Sequence, residues 1–492
     1  MRLTWRPVRR FMVVFLFALF AAAPARAGGP GMLLGANDGL MLQTNLVQTK
    51  ANMGLAKLAG FRAVNLHAFW WPGVTEPRDY DLETLGNVAS ASRLLGIPVF
   101  VAITNTRGAY TPQNEEQRTE FTQFAAAVAE KFPSFTRIIV GNEPNLNNFW
   151  APQFDDTGGD LAARTYERTL ADTYDALKAV SPEITVIGGA VSPRGHDDPH
   201  LSSKSHSPTT FIKDLGQAYR ASGRQKPIMD WFAFHPYGSN SSELPTTRHT
   251  TGTNITIADY DKLVKVLGQA FDGTNQVGSK IPIVYDEYGI ESTIPKSKRK
   301  RYTHSEPAST KPVPPPVQGQ RYKEAIGLAF CQPTVKAMFL YHVFDEPDLG
   351  RWQSGLYYAD HTAKASLPIV RDALSQVSRG VIARCPGMRL AVHADVTFPS
   401  PRQAAAAGKR GAGIQFQIRC DLDCRYTSGV NAVTTGESVL AAAGQLVGGK
   451  TRTIRLPARA LPKGRYRMVV SLVAAVNPGK ASRKQSAPFS VP

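Results

Sequence analysis

The chain has 492 residues, 42% of them apolar, with 57 Lys+Arg against 39 Asp+Glu and a formal net charge of +18. That length and apolar content exclude a disordered or fibrous chain and supply one large domain plus a smaller one. The charge is uneven, with +5 in residues 1–27, +12 in residues 386–492 and +1 between them; the basic tail lacks interleaved aromatics, which argues against nucleic-acid binding.

At the N-terminus, Arg2, Arg6, Arg9 and Arg10 precede an apolar run that ends at Ala25-Arg26-Ala27. This predicts a secretory signal peptide over residues 1–27, cut after Ala27. The run is about 13 residues, short of a spanning helix, and no later stretch is long enough to be one. The mature chain is therefore expected to be secreted or cell-surface associated, with no transmembrane segment.

Residues 28–385 alternate short apolar runs with longer amphipathic stretches, the signature of βα units. Strands are predicted at 32–36, 62–67, 98–103, 136–140, 184–188, 230–234, 281–285 and 337–342, with helices such as 116–131, 163–179 and 259–270 between them. Eight such units predict an α/β fold, a closed (β/α)8 barrel with its chemistry at the C-terminal strand ends. An open doubly wound sheet would call for a Gly-rich phosphate loop after the first strand, and GANDGL at 35–40 is not one. Two insertions follow strand ends: 192–209, and 292–319, which is basic and Pro-rich. The latter is expected either to wall the cleft or to run over the surface with a mobile tip.

From residue 386 to 492 short alternating runs predict a basic β-sandwich domain, with 400–413 as a loop inside it. In an exported chain, Cys420 and Cys424 are close enough for a local disulfide, whereas pairing of Cys331 with Cys385 stays open. No metal-ligand set or cofactor motif stands out.

The chemistry concentrates in two glutamates that end β-branched runs, Glu143 in RIIVGNEP and Glu287 in IPIVYDEYG. Two carboxylates at strand ends of one barrel can flank a glycosidic bond. Pro144 is expected to keep Glu143 extended. Alternation is expected to point Asp286 into the wall, opposite Glu287. Glu291 is a rival nucleophile, but it lies beyond Gly289 and off the strand.

These motifs resemble clan A retaining glycoside hydrolases, near families 5 and 39, over about residues 30–375. The resemblance implies Asn142-Glu143 as the strand-four pair with Glu143 the acid/base, and Glu287, in Glu287-Tyr288-Gly289, the nucleophile. It also implies a strand-six His-x-Tyr in His235-Pro236-Tyr237, and Trp352 as the floor of the sugar site. Tyr237 is expected to hydrogen-bond Glu287, and His235 to serve a hydroxyl or Glu287. Of Trp70 and Trp71, one is expected to line subsites and the other to pack under the rim, with Trp70 carried as the candidate. Asn37 is a candidate for a distal hydroxyl, while Asp345 and Glu346 are open between hydroxyl binding and capping a loop. One departure stands out, because Asn65 occupies the strand-two position where the family often has an arginine. The resulting expectation is a secreted retaining β-glycosidase acting on an oligo- or polysaccharide, with anionic wall polymer as a further candidate partner of the basic domain. The alternative is a weak or inactive barrel that binds carbohydrate.

Overall fold

The apolar runs of the first domain hydrogen-bond side by side in chain order and close on themselves. The structure, a computed structural model, describes residues 28–492, so the expected leader lies outside the described residues. The barrel strands are β1 (Leu33–Asn37), β2 (Ala63–Trp70), β3 (Val99–Asn105), β4 (Arg137–Val140), β5 (Thr185–Val191), β6 (Trp231–Phe234), β7 (Ile283–Tyr288) and β8 (Val335–Tyr341). All neighbours are parallel, and β8 returns to β1 with Leu33 opposite Ala337 and Asn37 opposite Tyr341. The outer helices are α1 (Leu46–Ala59), α2 (Asp79–Leu95), α3 (Glu115–Lys131), α4 (Leu161–Val180), α5 (Pro208–Ala221), α6 (Tyr260–Phe271), α7 (Pro315–Phe330) and α8 (Ser366–Ser378). Their ends follow local chemistry. Asn45 caps α1 through Val47 and Gln48 N–H groups, and Gly60 leaves the helix at φ 104, the left-handed exit that glycine takes without a Cβ clash.

Two cores result. Phe100, Ile139, Ile187, Val284 and Phe339 fill the barrel interior, and a larger cluster lies between strands and helices. Gly35 is required by that interior, since a Cβ there would sit 2.4 Å from the Phe339 ring. The observed strands fall at the predicted places, with β2, β5 and β7 each running three residues further toward the C-terminal rim.

The 292–319 insertion is docked, not a loose excursion. Thr303 bridges to Asp348, the Tyr302 hydroxyl donates to Asp345 at 2.8 Å, and Lys298 pairs with Asp360 at 2.6 Å.

Beyond residue 386 the chain forms two antiparallel sheets. One has the order β13-β10-β9 and the other β12-β11-β14-β15, with β16 also on β14. Their ranges are β9 (Ala394–Thr397), β10 (Gln415–Cys420), β11 (Cys424–Ala432), β12 (Ser438–Leu446), β13 (Thr451–Arg455), β14 (Gly464–Ala474), β15 (Ser482–Gln485) and β16 (Phe489–Val491). The expected loop at 400–413 is instead largely a helix, α9 (Pro401–Arg410). Its signals were local: Ser400 and Gln403 form a capping box, Pro401 opens the first turn, an alanine run propagates it and Gly411 ends it at φ 64. Cys420 bonds Cys424, and Cys331 bonds Cys385 across the end of the barrel.

Candidate active site

The site begins where β4 and β5 break their extended geometry together. After Val140 the chain passes Gly141 at φ 83 and reaches Glu143 at φ 39; Ala190, near the end of β5, has φ 50. The Glu143 N–H donates to Ala190 O at 2.8 Å, and the buried Tyr166 hydroxyl bridges Val140 O and the Gly189 N–H, each at 2.7 Å. Glu143 is therefore not extended, as its Pro144 neighbour suggested. It is held in a sparsely populated conformation by bonds from the adjacent strand end, strain of the kind that collects at functional sites.

From the opposite wall, β7 delivers Glu287. Its register against β8 shifts between Tyr285 and Tyr288, and this irregularity corrects the expectation for Asp286. Asp286 faces His235, whose Nε2 lies 3.2 Å from Asp286 Oδ2. On its other edge His235 Nδ1 is 3.0 Å from Glu143 Oε1 and 3.5 Å from Glu287 Oε2. One ring nitrogen thus holds oxygens of the two glutamates no more than about 6.5 Å apart. A retaining pair stands about 5–5.5 Å apart and an inverting pair about 6.5–9.5 Å.

Three carboxylates around one buried imidazole set its charge. Burial alone would lower the His235 pKa, but Glu287, Asp286 and Glu143 outweigh it and hold the ring well above its ordinary value. Glu287 itself is pushed up to about 7, by burial first and against the pull of His235, with Glu143 and Asp286 adding repulsion. The Tyr237 hydroxyl donates to Glu287 Oε2 at 3.0 Å, and the Asn37 amide donates to Oε1 at 3.3 Å.

Above these groups opens a cavity of about 950 Å³. Glu143, Asn142, Glu287 and Tyr237 line it, with Trp352 along one side. The Trp352 ring lies 5.1 Å from Tyr237 and edge-on to Tyr341 at 5.4 Å. Residues of the 192–209 insertion, among them Arg194 and His196, form part of the wall. A smaller adjoining cavity of about 360 Å³ lies past Trp352, lined by Glu291 and by Ser309 and Thr310 of the other insertion. The Trp352 loop is anchored from below. Lys364 Nζ, fully buried, meets Asp345 at 2.6 Å, Ser292 at 2.8 Å and Gln353 O at 2.9 Å.

Several sequence-predicted residues lie elsewhere. Asn65 is fully buried beneath the cleft, its amide 3.5 Å from Asp286 O. Asn37 is buried and serves Glu287, not a distal hydroxyl. Trp70 points outward from β2, fully buried against Phe121, with its Nε1–H on Val74 O. Trp71 lies under the Arg78 guanidinium, its ring 6.2 Å from that of Phe69. Asp345 and Glu346 hold the loop, Glu346 accepting from the Trp352 N–H at 3.0 Å. Residues that the sequence reading passed over do line the cleft: His67, Phe69 and Tyr341. His67 and Phe69 share the inward parity of Asn65, which was the available signal. His67 Nε2 lies 3.9 Å from Glu287, but burial lowers its pKa to about 4, so it is neutral and does not replace an arginine. Of the two imidazoles beside Glu287, His235 is the one whose pKa its carboxylate neighbours hold above the ordinary value.

Among the described residues no cluster of His, Cys, Asp or Glu is arranged to hold a metal, and no helix is long and apolar enough to cross a membrane.

No protein-family model and no curated protein matches the chain. Solved structures resemble it in fold. A family 5 subfamily 18 enzyme from Streptomyces cattleya, solved with GlcNAc, aligns with TM-score 0.50 at 14% identity, over 74% of this chain and 83% of that one. A monomeric β-xylosidase from Caulobacter crescentus CB15 aligns with TM-score 0.46 at 16% identity, over 91% and 97%. A Bacteroides uniformis β-glucuronidase aligns with TM-score 0.44 at 12% identity, over 94% of this chain but only 46% of that one, so the chain spans less than half its length. At these identities the likeness is one of fold: a (β/α)8 barrel followed by a small β domain.

Proposed function

We propose that the protein is a retaining β-glycosidase. The observation that carries this reading is the convergence of Glu143 and Glu287, from opposite strands, on one imidazole at the floor of an open cleft. Protonated Glu143 donates to the leaving glycosidic oxygen while ionised Glu287 attacks the anomeric carbon, forming a glycosyl–enzyme ester. Glu143 then takes a proton from water as the water attacks the same carbon, and Glu287 leaves. Trp352 offers a flat apolar face to the C–H face of a pyranose, and Asn142 an amide to a hydroxyl. Tyr237 and Asn37 favour the charged form of Glu287 against burial, and the His235 imidazolium supplies the positive charge that an arginine at residue 65 would have given.

Export of the mature chain and contact of its basic domain with an anionic polymer belong to the same reading. Two disulfides suit an oxidising compartment. A second reading, a barrel that binds carbohydrate without cleaving it, is favoured by one observation: Glu287 sits near 7 and is largely protonated in acid.

The test is a panel of aryl β-glycosides and β-linked polysaccharides incubated with the mature protein and with Glu287→Ala. Hydrolysis that loses at least about 10⁴-fold in kcat on substitution, with a first product of retained configuration, supports the assignment. Full activity in the variant, or an inverted first product, removes it.

A further inference from the structure

The net charge of the C-terminal domain has a location. On β14 the even-numbered positions turn to the core and the odd-numbered ones turn outward, and β11 follows the same alternation except at the buried Gly429. The register lays these outward residues in rows. Arg425 stands opposite Gln445 and Val473, Thr427 opposite Ala443 and Ser471, Gly429 opposite Ala441 and Val469, and Asn431 opposite Arg467. The edge strand adds Arg483 beside Ser471 and Gln485 beside Val469. The middle of the face is thus paved with small side chains, and longer ones stand around it. The result is a trough, with hollows of about 380 and 180 Å³ along it. Arg425 and Arg467 stand six residues apart along β11, roughly 20 Å at strand rise.

The borders are basic and the trough carries no carboxylate. Of the domain's four acidic residues, Asp421 pairs with His393 and Asp423 with Arg379. Asp395 stands opposite Arg419 on the other sheet, and Glu437 is in the β11–β12 turn. Arg425, Arg465, Arg467 and Arg483 make no ion pair among the described residues. Arg467 is held in place, its Nη1 donating to Gln485 Oε1 at 3.1 Å.

This chemistry selects a partner. Guanidinium forks match carboxylates in bidentate pairs. The amides of Asn431, Gln445 and Gln485 and the hydroxyls of Thr427 and Ser471 match sugar hydroxyls. No aromatic side chain stands on the face, so unstacked bases find no platform, and its apolar side chains, Val469, Val473, Ala441 and Ala443, are small and offer no long apolar anchor to a lipid bilayer. We infer that the trough binds an extended carboxylated polysaccharide, a polyuronide strand. The site lies outside the barrel and does not require the barrel to be a hydrolase.

The experiment is affinity electrophoresis of the mature protein through gels containing polygalacturonate, at low and at 0.3 M salt. All forms carry Glu287→Gln, so retention is read without turnover. The trough variant is Arg425→Gln/Arg467→Gln/Arg483→Gln. The control removes equal charge from the exposed α9 helix as Arg402→Gln/Lys409→Gln/Arg410→Gln. Circular dichroism and melting establish that each is folded. Retention by the parent, weakened at least tenfold in the trough variant and less than twofold in the α9 variant, is the expected result. Equal weakening in both, or no retention of the parent, overturns the site. Stronger parental binding to single-stranded DNA or to anionic vesicles at the same salt overturns the partner.

Discussion

Replacing Tyr237 by Phe isolates the electrostatics of the proposed nucleophile, Glu287. The hydroxyl donates to Glu287 Oε2 at 3.0 Å and opposes the burial that has raised this carboxyl to about 7. A hydrogen bond to a charged acceptor contributes about 1.5–3 kcal/mol, and about 1.4 kcal/mol corresponds to one pH unit. Its removal should therefore raise Glu287 by roughly one to two pH units. Attack needs the carboxylate, so activity falls as pH drops through the Glu287 pKa, and the acid limb of kcat/KM should move to higher pH by that amount. At pH 6 this costs about ten- to a hundredfold relative to the parent, shrinking to about twofold or less near pH 9. Any direct contact of the hydroxyl with substrate lowers the whole profile without moving the limb. The assay is kcat/KM against pH with an aryl β-glycoside, read discontinuously, with melting curves to establish the fold. An acid limb that stays in place, or moves to lower pH, refutes the reasoning.

Lys364→Met should destabilise the fold by about 3–5 kcal/mol, because it leaves Asp345 buried without its cation. Denaturant unfolding should show the larger loss at pH 8 than at pH 5, where Asp345 can protonate, and a loss below about 1 kcal/mol at both would show the pair is dispensable. Trp352→Ala should raise KM at nearly unchanged melting temperature, whereas Trp70→Ala should cost about 3–5 kcal/mol of stability through the cavity it leaves; the reverse pattern would exchange their roles. Alkylation of the unreduced mature protein followed by mass spectrometry should find all four cysteines unmodified, and labelled Cys420 and Cys424 would contradict their pairing.

The barrel was legible because parallel strands buried on both faces must be near-continuous apolar runs, as in Val99–Ile103. The glutamates stood out where such runs meet a carboxylate. Other features depend on geometry that alternation cannot supply. Asp286 was turned the wrong way because the register of β7 shifts just there, and Glu143 departs from extended geometry because of a bond from β5, a partner distant in sequence. Trp70 was placed in the cleft on residue type, although Asn65 had already fixed the inward parity that selects His67 and Phe69. The α9 helix was lost to a reading of Ser, Pro and Gly as loop residues, when their order is that of a helix start and stop.

The Cys331–Cys385 bond has a consequence for what a proteolytic cut would do. Residues between the two cysteines include β8, which closes the barrel against β1, the whole loop bearing Trp352, and α8. They form a covalent ring closed by a loop of 54 residues, a cross-link whose chain-entropy contribution is about 4 kcal/mol. A single cut anywhere in that ring, including its exposed rim near Arg351, opens the backbone but frees no fragment. After a cut near Arg351 the closing strand stays joined to α7 through Cys331, the C-terminal domain stays attached through Cys385, and the nicked molecule can re-form its seam as a unimolecular event.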